Sequence, residues 1–346
     1  MKIFGRYLSH RLESGFLRTL ILAILGLLLC MVCVTQEIDS SEVRYNRVAL
    51  YILAILMGVI ATVIPMLELM DFKKRRNLDT LFSFSISRPQ MALAHYLSGW
   101  IQVIIIYSVS FFWAFGYLSI TTDYFDLSYM IPYYFVSLGL GWILYSFFLF
   151  LFGEGNTVAD GVIFCILGMF VFWLLFSVFH ELHCVALDST LAYVESENRI
   201  FNHAELGMAY VPINHVTTWF QEVIEINDPN SNPDRYYERT LQACLGYVGF
   251  WGVVGLLSSV GFVWSFTKRR PEQVGDISNS WFGYRTLIPI YFYSFLLFWG
   301  GDALIYLWIA AVVAYFLYRR SFRLKKSDVL MLAFGLIPLF FHIAFL

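Results

Sequence analysis

The sequence predicts an all-α, polytopic integral membrane protein. Of its 346 residues, 59% are hydrophobic and only 14% are charged, whereas about a quarter of the residues in a soluble domain are charged. Its apolar residues form runs of about 20 or more, the length that a helix needs to cross a bilayer. Most of the Lys and Arg residues lie in short clusters between those runs, and cytoplasmic loops collect these residues. We therefore expect a multi-pass membrane protein with a cytoplasmic N-terminus.

Six spans are predicted in the first three quarters of the chain. A basic, amphipathic segment, 1–16, precedes them. The alternation of sides places the loop 69–88 in the cytoplasm and the long loop 181–240 outside, where it carries ten acidic residues against three Arg. The six apolar runs lie at about 17–36, 48–68, 92–120, 129–152, 160–180 and 241–266.

The C-terminal segment 267–346 extends this six-helix core. The apolar block 286–318 has basic flanks on both sides, so it crosses the membrane twice or not at all. Gly300-Gly301-Asp302 supplies a turn in its middle, which favours a short helical hairpin. With a final run at 329–346, the total is about nine spans. The alternative is seven spans with a re-entrant hairpin.

The outer loop contains one amphipathic segment, 204–226. Its apolar residues recur every three or four positions, which is typical of a helix with one apolar face. We expect Pro212 to break or kink this helix, and the helix to lie on the outer membrane surface or to dip into it. The apolar positions are Leu206, Tyr210, Ile213, Val216, Phe220 and Ile224.

The cytoplasmic loop 69–88 contains a second amphipathic pattern. A basic cluster is followed by apolar residues at helical spacing, and Arg88 then precedes the next span. A helix in so short a loop cannot form its own core, so the membrane surface or another protein must cover it. Alternatively, the basic cluster is only a positive-inside anchor. The residues of this pattern are Lys73, Lys74, Arg75, Arg76, Leu78, Asp79, Leu81 and Phe82.

These motifs resemble those of the permease subunits of ABC-2 type ABC transporters, in particular the Gram-positive branch. In that family a Glu, basic residues, a short T-L-D-x-L helix and a Pro-hydrophobic-Ser-Arg turn lie between spans two and three. This chain has Glu68, the basic cluster, NLDTL at 77–81 and SISR at 85–88, with Ser85 in place of the usual Pro. A basic R-x-x-E-x-x-G motif after span six is matched by Arg269, Glu272 and Gly275. The resemblance covers about residues 1–285.

The resemblance implies a non-catalytic membrane subunit in the plasma membrane of a bacterium. The loop 69–88 would then be a coupling helix that docks on a separate ABC ATPase, and the segment 1–16 would be an elbow helix along the inner surface. A second permease subunit, identical or related, would complete a pathway that exports an amphipathic peptide, antibiotic or lipid. The chain lacks the G-x-x-x-x-G-K-[ST] phosphate loop, so we expect ATP-Mg only in the partner, no cofactor here and no nucleic-acid partner.

Two alternatives from other classes stay open. His180-Glu181-Leu182-His183 and Cys184 offer metal-ligand types at the outer end of span five, which would suit a membrane enzyme with an outer-face metal site. A secondary transporter driven by ion gradients would need acidic residues in mid-span, and the centre of no predicted span has one. His95 is interpreted as an interfacial residue. Asp160 is interpreted as a helix cap or as a residue facing the transport path.

Overall fold

The computed structural model contains only helices among the residues that it describes. These residues are 2–35, 47–74, 86–121, 127–186, 207–226, 236–268, 272, 274–276, 278, 280–299 and 304–335. Six helices are long and apolar enough to cross a membrane, and they coincide with the six predicted spans. The all-α, polytopic membrane class is therefore confirmed. The spans are Ile3–Val34, Ala49–Lys73, Arg88–Ile120, Tyr129–Glu154, Val158–Phe179 and Leu245–Lys268.

The helices are numbered here in chain order. A 3₁₀ turn, Met70–Lys73, follows the second of them. The helices are α1 (Lys2–Thr35), α2 (Arg47–Leu69), α3 (Arg88–Thr121), α4 (Leu127–Glu154), α5 (Val158–Ala186), α6 (Val211–Ile226), α7 (Tyr236–Lys268), α8 (Tyr284–Trp299), α9 (Leu304–Arg319) and α10 (Lys326–Phe334).

The chain forms two compact units. The first comprises residues 1–153 and 210–271, and α3 is central in it, packed against α1, α2 and α7. Small residues on α1 allow α3 to approach closely, as is common between membrane helices. A side chain at Gly15 would meet Gln102, and one at Gly26 would meet Ser110. The opposite side of α1 exposes leucines such as Leu25, as expected for a lipid-facing surface.

The elbow helix expected at residues 1–16 is not a separate element. Helix α1 runs without a break from Lys2 to Thr35. One buried stripe joins both parts of this helix, because Tyr7, Gly15 and Thr19 lie at helical spacing and are all buried. The basic residues before the span therefore belong to the same continuous helix as the span itself.

Helix α6 differs from its prediction in two ways. Pro212 lies in the first turn, where the missing N–H of proline costs no hydrogen bond, so it begins the helix instead of kinking it. The predicted apolar face is packed on the first unit: Ile213, Val216 and Phe220 are buried, and α6 contacts α2 and α7. This packing contradicts a helix that merely lies on the membrane surface. Leu206 is outside the described residues, as is the side chain of Ile224.

The second unit comprises residues 154–209 and 272–346. Helix α8 packs against α5 and α9, and aromatic residues including Phe292, Tyr315 and Tyr318 form its core. The described parts of α8 and α9 have 16 residues each. The predicted turn at Gly300-Gly301-Asp302 and the end of the final run, 336–346, are outside the described residues. The choice between nine and seven spans stays a prediction.

Candidate functional site: a buried ion cluster at the end of the second span

Glu68, near the end of α2, is completely buried. Its carboxylate accepts four hydrogen bonds, two on each oxygen. Arg11 Nη2 and His95 Nδ1 each donate to Oε1 at 3.2 Å, while Arg18 Nη2 and Gln102 Nε2 donate to Oε2 at 2.6 and 3.2 Å. An ionised carboxylate has about four acceptor positions, so every one is used. We call these five residues the Glu68 cluster.

The Glu68 cluster joins three helices. Arg11 and Arg18 lie seven residues apart on α1, which is two helical turns and therefore one face. Arg18 also donates to the carbonyl of Leu67 at 3.1 Å and to Gln102 Oε1 at 2.8 Å. Helix α2 supplies the carboxylate, and α3 supplies His95 and Gln102. Any sliding between these helices would break at least one charged hydrogen bond.

His95 extends the cluster to the start of α1. Its Nδ1 donates to Glu68, and its Nε2 is 3.0 Å from the hydroxyl of Tyr7. A neutral imidazole has one donor and one acceptor, so with Nδ1–H facing Glu68 the Tyr7 hydroxyl donates to Nε2. The ring is fully buried, and Phe72 packs edge-on to it with centroids 4.6 Å apart. The interpretation of His95 as an interfacial residue was therefore wrong.

The charges in the cluster are unequal. One buried carboxylate faces two guanidinium groups, and Asp71 contributes only a longer contact of 3.9 Å to Arg11. The Nε atoms of Arg11 and Arg18 are buried without a hydrogen-bond partner. Breaking a buried ion pair by removing one partner costs about 3–5 kcal/mol. The Glu68 carboxylate is thus the shared counterion that allows two arginines to lie close together inside the helix bundle.

Lys73, five residues after Glu68, fastens the same end of α2 to α4. Its side chain is 7% exposed, and Nζ donates to the carbonyls of Phe152 and Gly153 at 2.8 and 3.4 Å. These carbonyls lie in the last turn of α4, where helix carbonyls lack intrahelical partners and the helix dipole is negative. The ammonium group therefore satisfies the end of α4.

The other end of the loop 69–88 reaches α7. Arg88 begins α3 and donates to the carbonyl of Thr267 at 3.4 Å. Phe72 lies edge-on to Phe266 of α7, with centroids 5.0 Å apart. Consequently the beginnings of α1 and α3 and the ends of α2, α4 and α7 gather at one end of the first unit. The loop departs from this end and returns to it.

The structure divides the predicted docking residues into buried, exposed and undescribed groups. Glu68 and Lys73 are buried, so they offer no surface to a partner in this conformation, and their part in docking stays a prediction. Lys74 and Arg88 are exposed. Outside the described residues lie Arg75, Arg76, Leu78, Asp79, Leu81 and Phe82.

Two residues of the second predicted motif are described, and both lie in the second unit. Glu272 is exposed. Gly275 has a φ of 91°, which glycine adopts without strain, and its N–H donates to the carbonyl of Asn156 at 3.3 Å. Arg269 is outside the described residues. Within this motif, the backbone conformation at position 275 favours glycine, and Glu272 is exposed.

The sequence did not identify Tyr7, Arg11, Arg18 and Gln102 as site residues. One signal was present: an acid inside a span requires a partner, and the two Arg residues share a face on the neighbouring span. The contact with Gln102 had no such signal, because a polar residue within an apolar run does not indicate which helix it faces.

Asp160 lies in the first turn of α5 and is buried. Thr157 is the residue that caps this helix, since its Oγ1 accepts a hydrogen bond from the Asp160 N–H at 3.1 Å. The Asp160 carboxylate instead accepts a hydrogen bond from the Tyr284 hydroxyl at 2.9 Å. Asp160 therefore joins α5 to α8 within the second unit.

The suggested outer metal site receives no support from the part of the chain that the structure describes. That part contains no group of three or more His, Cys, Asp or Glu residues able to hold a metal ion. The side chains of residues 180–184 and His203 are outside it. His215 stacks on Tyr247, with ring centroids 4.5 Å apart.

No known protein family, curated protein or solved structure matches this chain.

Proposed function

We propose that this protein is the transmembrane permease subunit of an ABC transporter that exports an amphipathic peptide, antibiotic or lipid. A separate ATPase subunit would bind and hydrolyse ATP-Mg, and a second permease subunit would complete the pathway. One observation carries the proposal: both ends of the loop 69–88 are fastened to helix ends of the first unit. The resemblance of the loop motifs to ABC-2 permeases gives that geometry its functional meaning.

The contacts that hold both ends of the loop to the helices suit a coupling element. The loop continues directly from α2, Lys73 holds it to α4, and Arg88, which begins α3, holds it to α7. A force applied to the loop would therefore reach all four helices. Because Glu68 is also paired with Arg11 and Arg18, α1 would move with α2. A rigid group of helices that tilts together is one way in which closure of a partner changes access across a membrane.

The docking contact itself is proposed from the sequence. Leu78, Leu81 and Phe82 form the apolar side of the loop pattern, and Lys74 and Arg88 are exposed cations beside it. Burying one such apolar side chain contributes about 1.5–3 kcal/mol. Two truncations should therefore weaken ATPase binding by about a hundredfold or more.

The first experiment measures docking. The full chain is expressed with the ATPase of its own cell, and co-purification and ATP turnover are compared between the unmodified chain and Leu81→Ala with Phe82→Ala. The double variant is expected to lose the ATPase while inserting normally, since neither residue lies in a span. Ile3→Ala, an exposed apolar residue at the start of α1, is the control. Unchanged co-purification and transport in the double variant would contradict the proposal, as would ATP hydrolysis by the purified chain alone.

The second experiment separates coupling from docking. Lys73 and Lys74 are adjacent and chemically identical, but only Lys73 donates to the end of α4. Lys73→Met should keep the ATPase bound and lower the amount of substrate transported per ATP. Lys74→Met should leave the amount of substrate transported per ATP near that of the unmodified chain. Equal transport per ATP in the two variants would mean that the fastening of the loop to α4 has no part in coupling.

A further inference from the structure

One end of the second unit presents exposed aromatic and cationic side chains together. Phe322 is 89% exposed and Trp281 is 71% exposed. We call this the basic-aromatic surface, and it consists of Trp281, Phe282, Arg285, Arg320, Phe322 and Arg323, all of which are exposed.

The turn that carries Phe322 is held in place by buried contacts on both sides. Arg319 forms a bidentate ion pair with Asp328, with both N–O distances at 3.0 Å, and the N–H of Lys325 donates to the same carboxylate at 3.1 Å. Leu324 packs against the core of the unit. Phe322 is therefore directed outward by a rigid turn.

The segment that carries Trp281 and Phe282 is also fixed. The N–H of Phe282 donates to Ser280 Oγ, and that of Gly283 to the Ser280 carbonyl, both at 3.2 Å. The rings of Tyr284 and Tyr318 lie 5.4 Å apart, which brings the start of α8 and the end of α9 side by side. Both exposed aromatic groups thus lie at the same end of the helix pair.

Within the described residues, the three arginines of this surface form no ion pair with a carboxylate. Asp328 is already paired with Arg319. The next residues along the chain, Lys325 and Lys326, are exposed as well. The surface therefore has an excess of positive charge beside apolar rings, a combination that matches the anionic headgroups and upper acyl chains of a lipid leaflet.

We propose that the basic-aromatic surface binds anionic phospholipid headgroups of the cytoplasmic leaflet. Its arginines contact the lipid phosphates, and its three aromatic rings enter the interface. The composition of this surface favours this occupant, because aromatic and basic residues at helix ends anchor membrane helices at the lipid interface. The proposal is independent of the ABC assignment.

The test uses the purified full chain in a zwitterionic detergent. Solubilised phosphatidylglycerol is added in increasing amounts, and the thermal unfolding midpoint gives the lipid concentration for half-maximal stabilisation. A cation near an anionic lipid surface contributes roughly fivefold in affinity. Arg320→Gln with Arg323→Gln should therefore raise this concentration about 30-fold, and Phe322→Ala should also raise it. Without lipid, both variants should unfold at the unmodified temperature, because the replaced side chains are exposed.

The controls define the outcomes that overturn the proposal. Phosphatidylcholine and inorganic phosphate should stabilise no variant, and stabilisation by inorganic phosphate alone would show a soluble anion site instead. Arg6→Gln with Lys74→Gln removes two exposed cations that lie outside the basic-aromatic surface, and it should raise the half-maximal concentration less than the Arg320 and Arg323 variant does. An equal loss in this control, or no loss in the Arg320 and Arg323 variant, refutes the proposal. Loss of ATPase co-purification with an unchanged lipid response would identify a protein-docking surface.

Discussion

Replacing Glu68 by Gln should destabilise the first unit strongly. The variant keeps the size of the side chain but removes its charge, so Arg11 and Arg18 lose their shared counterion. An amide also places an NH₂ group where one carboxylate oxygen accepted two hydrogen bonds, so this group would face donors of Arg11 and His95 or of Arg18 and Gln102. Removing one partner from a buried ion pair costs about 3–5 kcal/mol. For a unit of this size each kcal/mol lowers the unfolding midpoint by about 2–4 °C, which gives about 6–20 °C.

The assay is thermal unfolding of the detergent-purified chain, followed by tryptophan fluorescence. Glu13→Gln is the matched control because Glu13 is an exposed acid on α1, and its variant should stay within about 0.5 kcal/mol of the unmodified protein. Adding Arg11→Gln to Glu68→Gln should restore part of the loss, since only one uncompensated cation then remains. The double-mutant coupling energy should exceed about 1 kcal/mol. A midpoint for Glu68→Gln within 2 °C of the unmodified chain would refute the reasoning, because the cluster would then contribute nothing to stability (on the scale of about 2–4 °C per kcal/mol).

Two further predictions concern packing and pH. A Cβ added at Gly255 would lie 3.1 Å from Ile143 Cα, whereas one at Gly252 on the same helix would meet nothing within 4 Å. In thermal unfolding, Gly255→Ala should lower the free energy of unfolding by about 1–3 kcal/mol, and Gly252→Ala should raise it by about 0.5–1 kcal/mol. Equal effects of the two substitutions would contradict the close approach of α4 and α7. Burial raises the pKa of Asp328, but the hydrogen bonds and charge of Arg319 outweigh it and hold this pKa below its ordinary value. The carboxylate therefore stabilises the fold fully above about pH 4, the pKa of this group in the unfolded chain, and this stabilisation is lost as the pH falls through the lower folded pKa. The difference in unfolding midpoint between the unmodified chain and Asp328→Asn should therefore shrink below about pH 4. A constant difference from about pH 7 to about pH 3 would exclude the ion pair as its cause.

The membrane spans were predictable because each is a local property of the chain. A run of about 20 apolar residues satisfies its own backbone hydrogen-bonding groups when it forms a helix, so the helix can form without a neighbouring element. The same holds for the apolar face of α6, where Ile213, Val216 and Phe220 recur at helical spacing. Which elements cover this face depended on the tertiary structure, and α2 and α7 cover it. Pro212 was predicted to kink the helix because the sequence does not show whether a helical turn precedes the proline; the helix begins at Val211 instead.

The buried ion cluster depended on the tertiary structure. Glu68 meets Arg11, Arg18, His95 and Gln102 across separations of 57, 50, 27 and 34 residues, and no local pattern specifies which faces of three helices meet. Lys73 and its neighbour Lys74 show the limit most clearly. Sequence reasoning treated them alike as members of one basic cluster. The 3₁₀ turn Met70–Lys73 directs Lys73 to the carbonyls of α4. Lys74 follows that turn with an extended backbone, so its side chain leaves in another direction and is exposed.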